Sequence, residues 1–163
     1  MRTFHRSYKL IQISKFIKRD RVVDLIGSTK GEVLSELVQV MSKSMGGISC
    51  SSLNPSELLK MILDREAKFS TGVGVGIAIP HARLASLKEF AIAIGRCRAG
   101  IAYDALDAGS VYLIFMILSP AQEYARYLNI HAKVALLMSN EEFRNKVLAA
   151  KDSDEIFRLM KGK

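Results

Sequence analysis

The chain has 163 residues, 49% of them hydrophobic and 25% charged, with a formal net charge of +8. That length suits one domain with a sizeable core, and no apolar run is long enough to span a bilayer. Two cysteines in unrelated contexts, Cys50 and Cys97, are too few for a disulfide framework or a cysteine metal site. They read as reduced thiols of a cytoplasmic protein.

The charge is concentrated at the start. Seven of the 24 basic residues fall in the first 21 positions (Arg2, Arg6, Lys9, Lys15, Lys18, Arg19 and Arg21), opposed only by Asp20. The remainder is close to neutral. Residues 1–8 are therefore read as a basic, solvated arm and residues 9–163 as the domain. Such an arm can meet nucleic acid or an anionic membrane surface. The solvated reading predicts neither a nucleic-acid partner nor membrane insertion. No apolar block with a small-residue cleavage site follows the basic start, so a secretory signal is not expected.

In chain order, Val22 to Ile26 is a short strand candidate. Thr29-Lys30-Gly31-Glu32 is a capping box, with Thr29 as N-cap and Glu32 at N3, and predicts a helix to about Met45, stopped by Gly46-Gly47. Asn54-Pro55-Ser56-Glu57 joins an N-cap, a proline at N1 and a glutamate at N3, and predicts a helix to about Arg65. Ile77 to Ile79 is a second short strand. Phe90 to Arg96 and the unbroken apolar run Val111 to Leu118 are longer ones. Ser119-Pro120-Ala121-Gln122 carries the same start chemistry and predicts a long helix to about Met138. Ser139-Asn140-Glu141-Glu142 starts another, and Asp152 caps a last one toward Met160. Helices flanking a central strand region, without repeats, predict a single-domain α/β sandwich. The sheet should be mixed, because Ile101 to Gly109 is too short for a helical crossover.

The segment from Ser70 to Ala82, Ser-Thr-Gly-Val-Gly-Val-Gly-Ile-Ala-Ile-Pro-His-Ala, carries most of the chemistry. Gly72, Gly74 and Gly76 leave backbone amides uncovered and permit positive φ. Pro80 stiffens the chain directly before His81. Imidazole is nucleophilic near neutral pH and exposed amides hold phosphate oxygens, so a phosphorylatable histidine is one reading. A glycine-rich turn before a core strand, with an incidental histidine, is the other. There is no Gly-Lys-Ser/Thr, so nucleotide binding is not indicated.

This stretch resembles the phosphorylation-site signature of the fructose/mannitol-type enzyme IIA domains of the bacterial phosphotransferase system. Glu66, Val73, Gly74, Ile77, Ala78, Ile79, Pro80, His81 and Ala82 meet each of its positions. Arg65-Glu66 with Ser70-Thr71-Gly72, and the run Ile101 to Asp107, are similar to the nitrogen-regulatory branch. The similarity extends from about Lys9 to the C-terminus. It implies a mixed sheet flanked by helices, and a His81 that accepts phosphate from an HPr-like phosphocarrier protein. Arg65 matches a family arginine near that site, with Thr71, Gly72, Gly74, Gly76 and Tyr127 as further support for the phosphate. As a helix C-terminal cation, Arg65 is equally explained by the helix dipole.

One departure concerns the second active-site histidine of many members, found in a His-Leu-x-x-Leu pattern. The matching residues are Tyr127-Leu128-Asn129-Ile130-His131. Tyr127 donates a hydrogen bond in its place, His131 reaches in from one turn further on, or the site is weakened. The spacing of Tyr124, Leu128, His131, Ala135 and Met138 predicts a buried stripe that includes His131. His5 is expected to be exposed and without a role. Asp104 and Asp107 are read as turn formers rather than ligands, and neither a metal nor a cofactor is expected. The resemblance implies a phosphohistidine carrier that regulates still unidentified target proteins by its phosphorylation state. A sugar-specific enzyme IIA serving a separate IIB protein, and a binding module that is not phosphorylated, are the alternatives.

Overall fold

The computed structural model describes residues 11–46 and 54–163. The arm of residues 1–8, His5, Gly47 and Cys50 lie outside them. A 3-10 turn, Ile13–Phe16, leads into β1, Ile17–Asp24. Helices α1, Lys30–Met45, and α2, Pro55–Lys68, follow. Next come β2, Gly72–Gly74, β3, Ile77–Ala78, β4, His81–Leu84, β5, Ala91–Ile101, and β6, Val111–Pro120. Three helices close the chain: α3, Tyr124–Ser139, α4, Glu141–Ala149, and α5, Ser153–Met160.

The strands form one mixed sheet in the order β1-β5-β6-β3-β2, with β4 also paired to β6. β5 and β6 are antiparallel, as their short connection requires, while β1 runs parallel to β5 and both β3 and β4 run parallel to β6. Both faces of the sheet are covered. On one, Leu34, Leu37, Met41, Leu58 and Ile62 of α1 and α2 pack on Ala91, Ala93, Ile114 and Met116. On the other, Ile130, Val134 and Met138 of α3, with Val147 and Ile156, pack on Ile92, Ile94, Phe115 and Ile117. Burial on both sides explains why β6 reads as an unbroken apolar run rather than an alternating one.

Capping chemistry sets most helix starts. Thr29 and Glu32 form the capping box, and Asn54, Asn140 and Asp152 each accept a bond from a first-turn amide. Helix α2 ends at Lys68, one turn beyond Arg65. Gly46 ends α1 in the right-handed region, with φ −65°, rather than as a left-handed cap.

The start of α3 differs from expectation. Ser119 and Pro120 are the last residues of β6, and α3 begins at Tyr124 without a side-chain cap. The cause is β4, whose Arg83 and Leu84 pair with Ser119 and Pro120 and carry the strand past Leu118. Two buried arginines shape the sheet's outer edge. Arg96 of β5 forms a two-pronged bond with Asp24, at 2.6 and 3.0 Å, and also donates to the carbonyls of Leu148 and Ala150. Arg96 holds the Asp24 carboxyl below its usual range. Arg21, on β1, has no such pairing.

Candidate active site at the end of β6

Pro80 and His81 stand where the edge of β6 changes partner. Up to Ala78 the neighbour of β6 is β3; from His81 it is β4. Between them Ile79 turns its N–H away to the Thr71 carbonyl, and Pro80, which has no N–H, offers its carbonyl to Ile117. His81 is therefore the first residue of β4, in register with Ile117. Its Nδ1 lies 3.1 Å from the Ile79 carbonyl oxygen. A carbonyl only accepts, so Nδ1 carries the proton and Nε2 keeps its lone pair. Burial lowers the His81 pKa, opposed by the Ile79 bond and reinforced by the charge of Arg65. The free base, the nucleophilic form, is thus favoured at neutral pH.

Helix α3 brings two aromatic rings against this imidazole. The Tyr127 ring lies 5.2 Å from that of His81, centroid to centroid, and the His131 ring 5.8 Å away, edge-on. Tyr127 and His131 are one turn apart, with centroids 5.9 Å from each other. The buried stripe of α3 is Tyr127, Ile130, Val134 and Met138, so the expected stripe through Tyr124, Leu128 and His131 is corrected. Tyr124 is 51% exposed and Leu128 39%. The helix is rotated because it starts at Tyr124, after the extended β6, and lays Tyr127 onto the sheet. His131 is half-buried beside that stripe, facing His81 rather than lost in the core. Burial, and then the nearby charges of His81 and Arg65, push its pKa down to about 4. Burial likewise raises the Tyr127 phenol.

Two arginines supply charge. Arg65, in the last turn of α2, donates to the Phe69 carbonyl at 2.9 Å and acts electrostatically on His81, Tyr127 and His131. Arg83, two residues beyond His81 on β4, stacks on the Tyr124 ring at 4.9 Å and acts on His81 and Tyr127. Sequence reasoning missed Arg83. Strand alternation, which puts i and i+2 on one face, would find it, but only once β4 is known to be a strand.

The glycine-rich segment does something else. β2 and β3 form a hairpin whose two turn residues, Val75 and Gly76, both have positive φ, 51° and 79°. That is the type I′ pattern. The Val75 N–H is held by Asp107 at 2.9 Å, and a Cβ on Gly72 would meet Ala105 at 2.7 Å. The hairpin thus packs on the loop between β5 and β6. Gly76 bonds to Tyr112 and Leu113, whereas Pro80 bonds to Ile117. Four residues of strand, roughly 13 Å, separate them. Gly74 and Gly76 are not brought to His81.

Thr71 is closer, beside Ile79, but its amide and hydroxyl both donate to Glu66, at 2.8 and 2.5 Å. Glu66 is buried, pairs with Lys30 at 3.0 Å and lies 3.4 Å from the Tyr103 hydroxyl. This signature glutamate is a structural hub that ties α1, α2 and the Tyr103 loop to the start of β2. Asp107 accepts from Val75 and Gly109, and Asp104 lies 3.5 Å from Lys30. Among the described residues no group of three His, Cys, Asp or Glu side chains forms a metal site, and no helix is long and apolar enough to cross a membrane. Cys97 is buried and its thiol is pushed up to about 11.

A family model described as phosphoenolpyruvate-dependent sugar phosphotransferase system, EIIA 2, matches residues 15–163. The chain belongs to this EIIA family. The "PTS system fructose-specific EIIABC component" of Bacillus subtilis is 36% identical over 80% of the chain, which spans only 20% of that protein's length. A "Nitrogen regulatory protein" of Pseudomonas aeruginosa is 24% identical over 93% of the chain and 96% of its own length. The crystal structure of nitrogen regulatory protein IIA-Ntr from Neisseria meningitidis superposes with a TM-score of 0.81, at 27% identity, covering 91% of this chain and 98% of that one. The α/β fold is that of EIIA domains.

Proposed function

We propose that this EIIA domain is a phosphohistidine carrier that accepts a phosphoryl group on Nε2 of His81 from a phosphohistidine on an HPr-like protein. The observation that carries this reading is the Nδ1–H bond to Ile79, which leaves Nε2 unprotonated on a ring that feels the charges of Arg65 and Arg83. In the step, the Nε2 lone pair attacks phosphorus in line, the donor's N–P bond breaks, and its electron pair stays on the donor imidazole. Catalysis then rests on positioning and on charge stabilisation of the phosphoryl oxygens. Arg65 and Arg83 supply positive charge and Tyr127 a phenolic donor. His131 is neutral before transfer. A dianionic phosphoryl group on His81 would raise its pKa, opposing the effect of burial.

Regulation of partners by phosphorylation state is the favoured role. Near full-length similarity to nitrogen regulatory proteins, in sequence and structure, supports it. The 36% identity to a fructose-specific component supports a second reading, in which the phosphoryl group passes on to a IIB protein.

The test is incubation of the pure protein with phosphoenolpyruvate and the general phosphotransferase proteins, followed by intact mass. One acid-labile phosphoryl group is expected, absent in His81→Ala. Label that survives acid, or persists in His81→Ala, overturns the assignment. Rapid discharge onto a fructose-type IIB protein would favour the second reading.

A further inference from the structure

The first half of β1 is irregular in a way that neither the phosphoryl site nor the core requires. Ile17 pairs with Ile92 and Val22 with Ile94, so five steps along β1 match only two along β5. The four residues Lys18-Arg19-Asp20-Arg21 stand opposite Ala93 alone and bulge from the ladder. Arg19 turns outward to Asp154 and Ser153. Arg21 turns inward to the end of α1, where Nε donates to the Ser44 hydroxyl at 2.9 Å and Nη1 reaches the Phe16 carbonyl at 3.4 Å.

Arg21 is only 5% exposed. Its sequence neighbour Asp20 acts on it at a distance, but no carboxylate within ion-pair range is found among the described residues. Arg96 shows what a satisfied buried arginine looks like in this same sheet, with a two-pronged carboxylate and two carbonyls. Arg21 has one hydroxyl and one long carbonyl contact. A buried, incompletely paired guanidinium is costly, and such groups ordinarily have a counter-charge.

Arg21 lines a cavity of about 90 Å³ between the bulge, the end of α1 and the start of β5. Lys15 and Lys18 line it too, against a single acid, Glu89, with Phe16, Met45, Leu87 and Phe90 as its apolar walls. We propose that this cavity is a binding site for a single small oxyanion, inorganic phosphate or the phosphoryl end of a small metabolite, with Arg21 as its principal anchor. The volume suits one such group and is too small for a nucleotide. The planar guanidinium with free N–H groups favours an oxyanion over chloride. The site is separate from His81. Ile17, Ile92, Ile117 and His81 lie in one row across the sheet, three strand spacings or roughly 14 Å from end to end. The inference does not depend on His81 being phosphorylated.

The experiment is a titration of the full chain with inorganic phosphate, followed by amide NMR and by thermal melts, against sodium chloride at matched ionic strength. A phosphate monoester, glycerol phosphate, forms a second arm. Saturable shifts are expected at Phe16, Ser44, Met45 and Phe90, with a rise in Tm that chloride does not give. Shifts confined to His81, Tyr127 and His131, or a Tm response equalled by chloride, overturn the proposal. Tighter binding of the ester than of free phosphate would identify the metabolite as the source, and equal binding would identify phosphate itself. Arg21→Gln is expected to weaken binding at least about tenfold, as for loss of a charge-assisted contact. Should that variant fail to fold, the exposed pair Lys15→Gln and Lys18→Gln must weaken binding severalfold. Unchanged binding in the folded double variant overturns the site equally.

Discussion

The two ends of β6 are held by opposite means. At its start, the glycine hairpin and the Tyr103–Gly109 loop are locked together by backbone bonds, by the tight seating of Gly72 on Ala105 and by carboxylates that accept amide protons. Asp107 holds Val75 and Gly109, and Glu66 holds Thr71 and Lys30. At its other end, the His81 ring has one bond, to its own backbone, and sits among aromatic rings and cations of α2, β4 and α3. The first end is satisfied and rigid. The second leaves charge available to a ligand, as the proposed phosphoryl transfer requires. Sequence signatures run through both ends without distinguishing them, so a residue within a motif need not touch its chemistry.

That contrast is open to attack by mutation. The largest effect should come from the cations at the His81 end. Arg65→Ala and Arg83→Ala are each expected to slow phosphoryl uptake on the order of 100-fold, while the melting temperature moves little. Rapid-quench labelling with phosphorylated HPr as donor checks this. Uptake unchanged in Arg83→Ala would leave that residue only its stacking role on Tyr124.

At the other end the pattern should invert. Gly76→Ala forces a side chain to φ +79° and brings Cβ within 3.1 Å of the Tyr112 ring. A loss of about 1–2 kcal/mol in denaturant unfolding is expected, with uptake per folded molecule unchanged. A folded Gly76→Ala protein that takes up phosphate poorly would return the hairpin to the active site.

Tyr127 and His131 lie on the same side of the comparison and share the work. Tyr127→Phe should slow uptake on the order of tenfold, about 1.4 kcal/mol for one hydrogen bond. His131→Ala should slow it too, rather than affect stability alone. The two rates, measured on variants of matched melting temperature, decide between the residues. If only His131→Ala is impaired, it alone replaces the second histidine.

The smallest effect concerns pH. His81 and His131 both have folded-state pKa values below the ordinary 6.5, the latter about 4. The unfolded chain therefore takes up protons first as pH falls. Their stabilising contribution is complete above about 6.5 and declines as pH drops toward about 4. Urea melts across that window should show falling stability, with a shallower slope in His131→Gln. An unchanged slope would place His131 in water rather than against His81.

Helix starts were legible because capping is local: Thr29 and Glu32, Asn54 and Pro55, Asn140, and Asp152 each act within one turn of chain. The family signature and the mixed sheet were readable for a similar reason, resting on contiguous residues and one short connection. β4 was not. A four-residue His-Ala-Arg-Leu segment has no periodic signal of its own and is a strand only because β6 supplies its ladder. Recognition of that strand would have exposed Arg83 and moved the start of α3 away from Ser119. It would have turned the buried stripe of α3 from His131 to Tyr127. The roles of Glu66, shared among Lys30, Thr71 and Tyr103, and of Arg21, lining a cavity with no carboxylate in ion-pair range of it among the described residues, were equally beyond sequence. Sequence determined which residues start most of the helices and which histidine stands in the family signature. Tertiary structure decided what surrounds it, because ion pairing, burial and ring contacts join residues far apart along the chain.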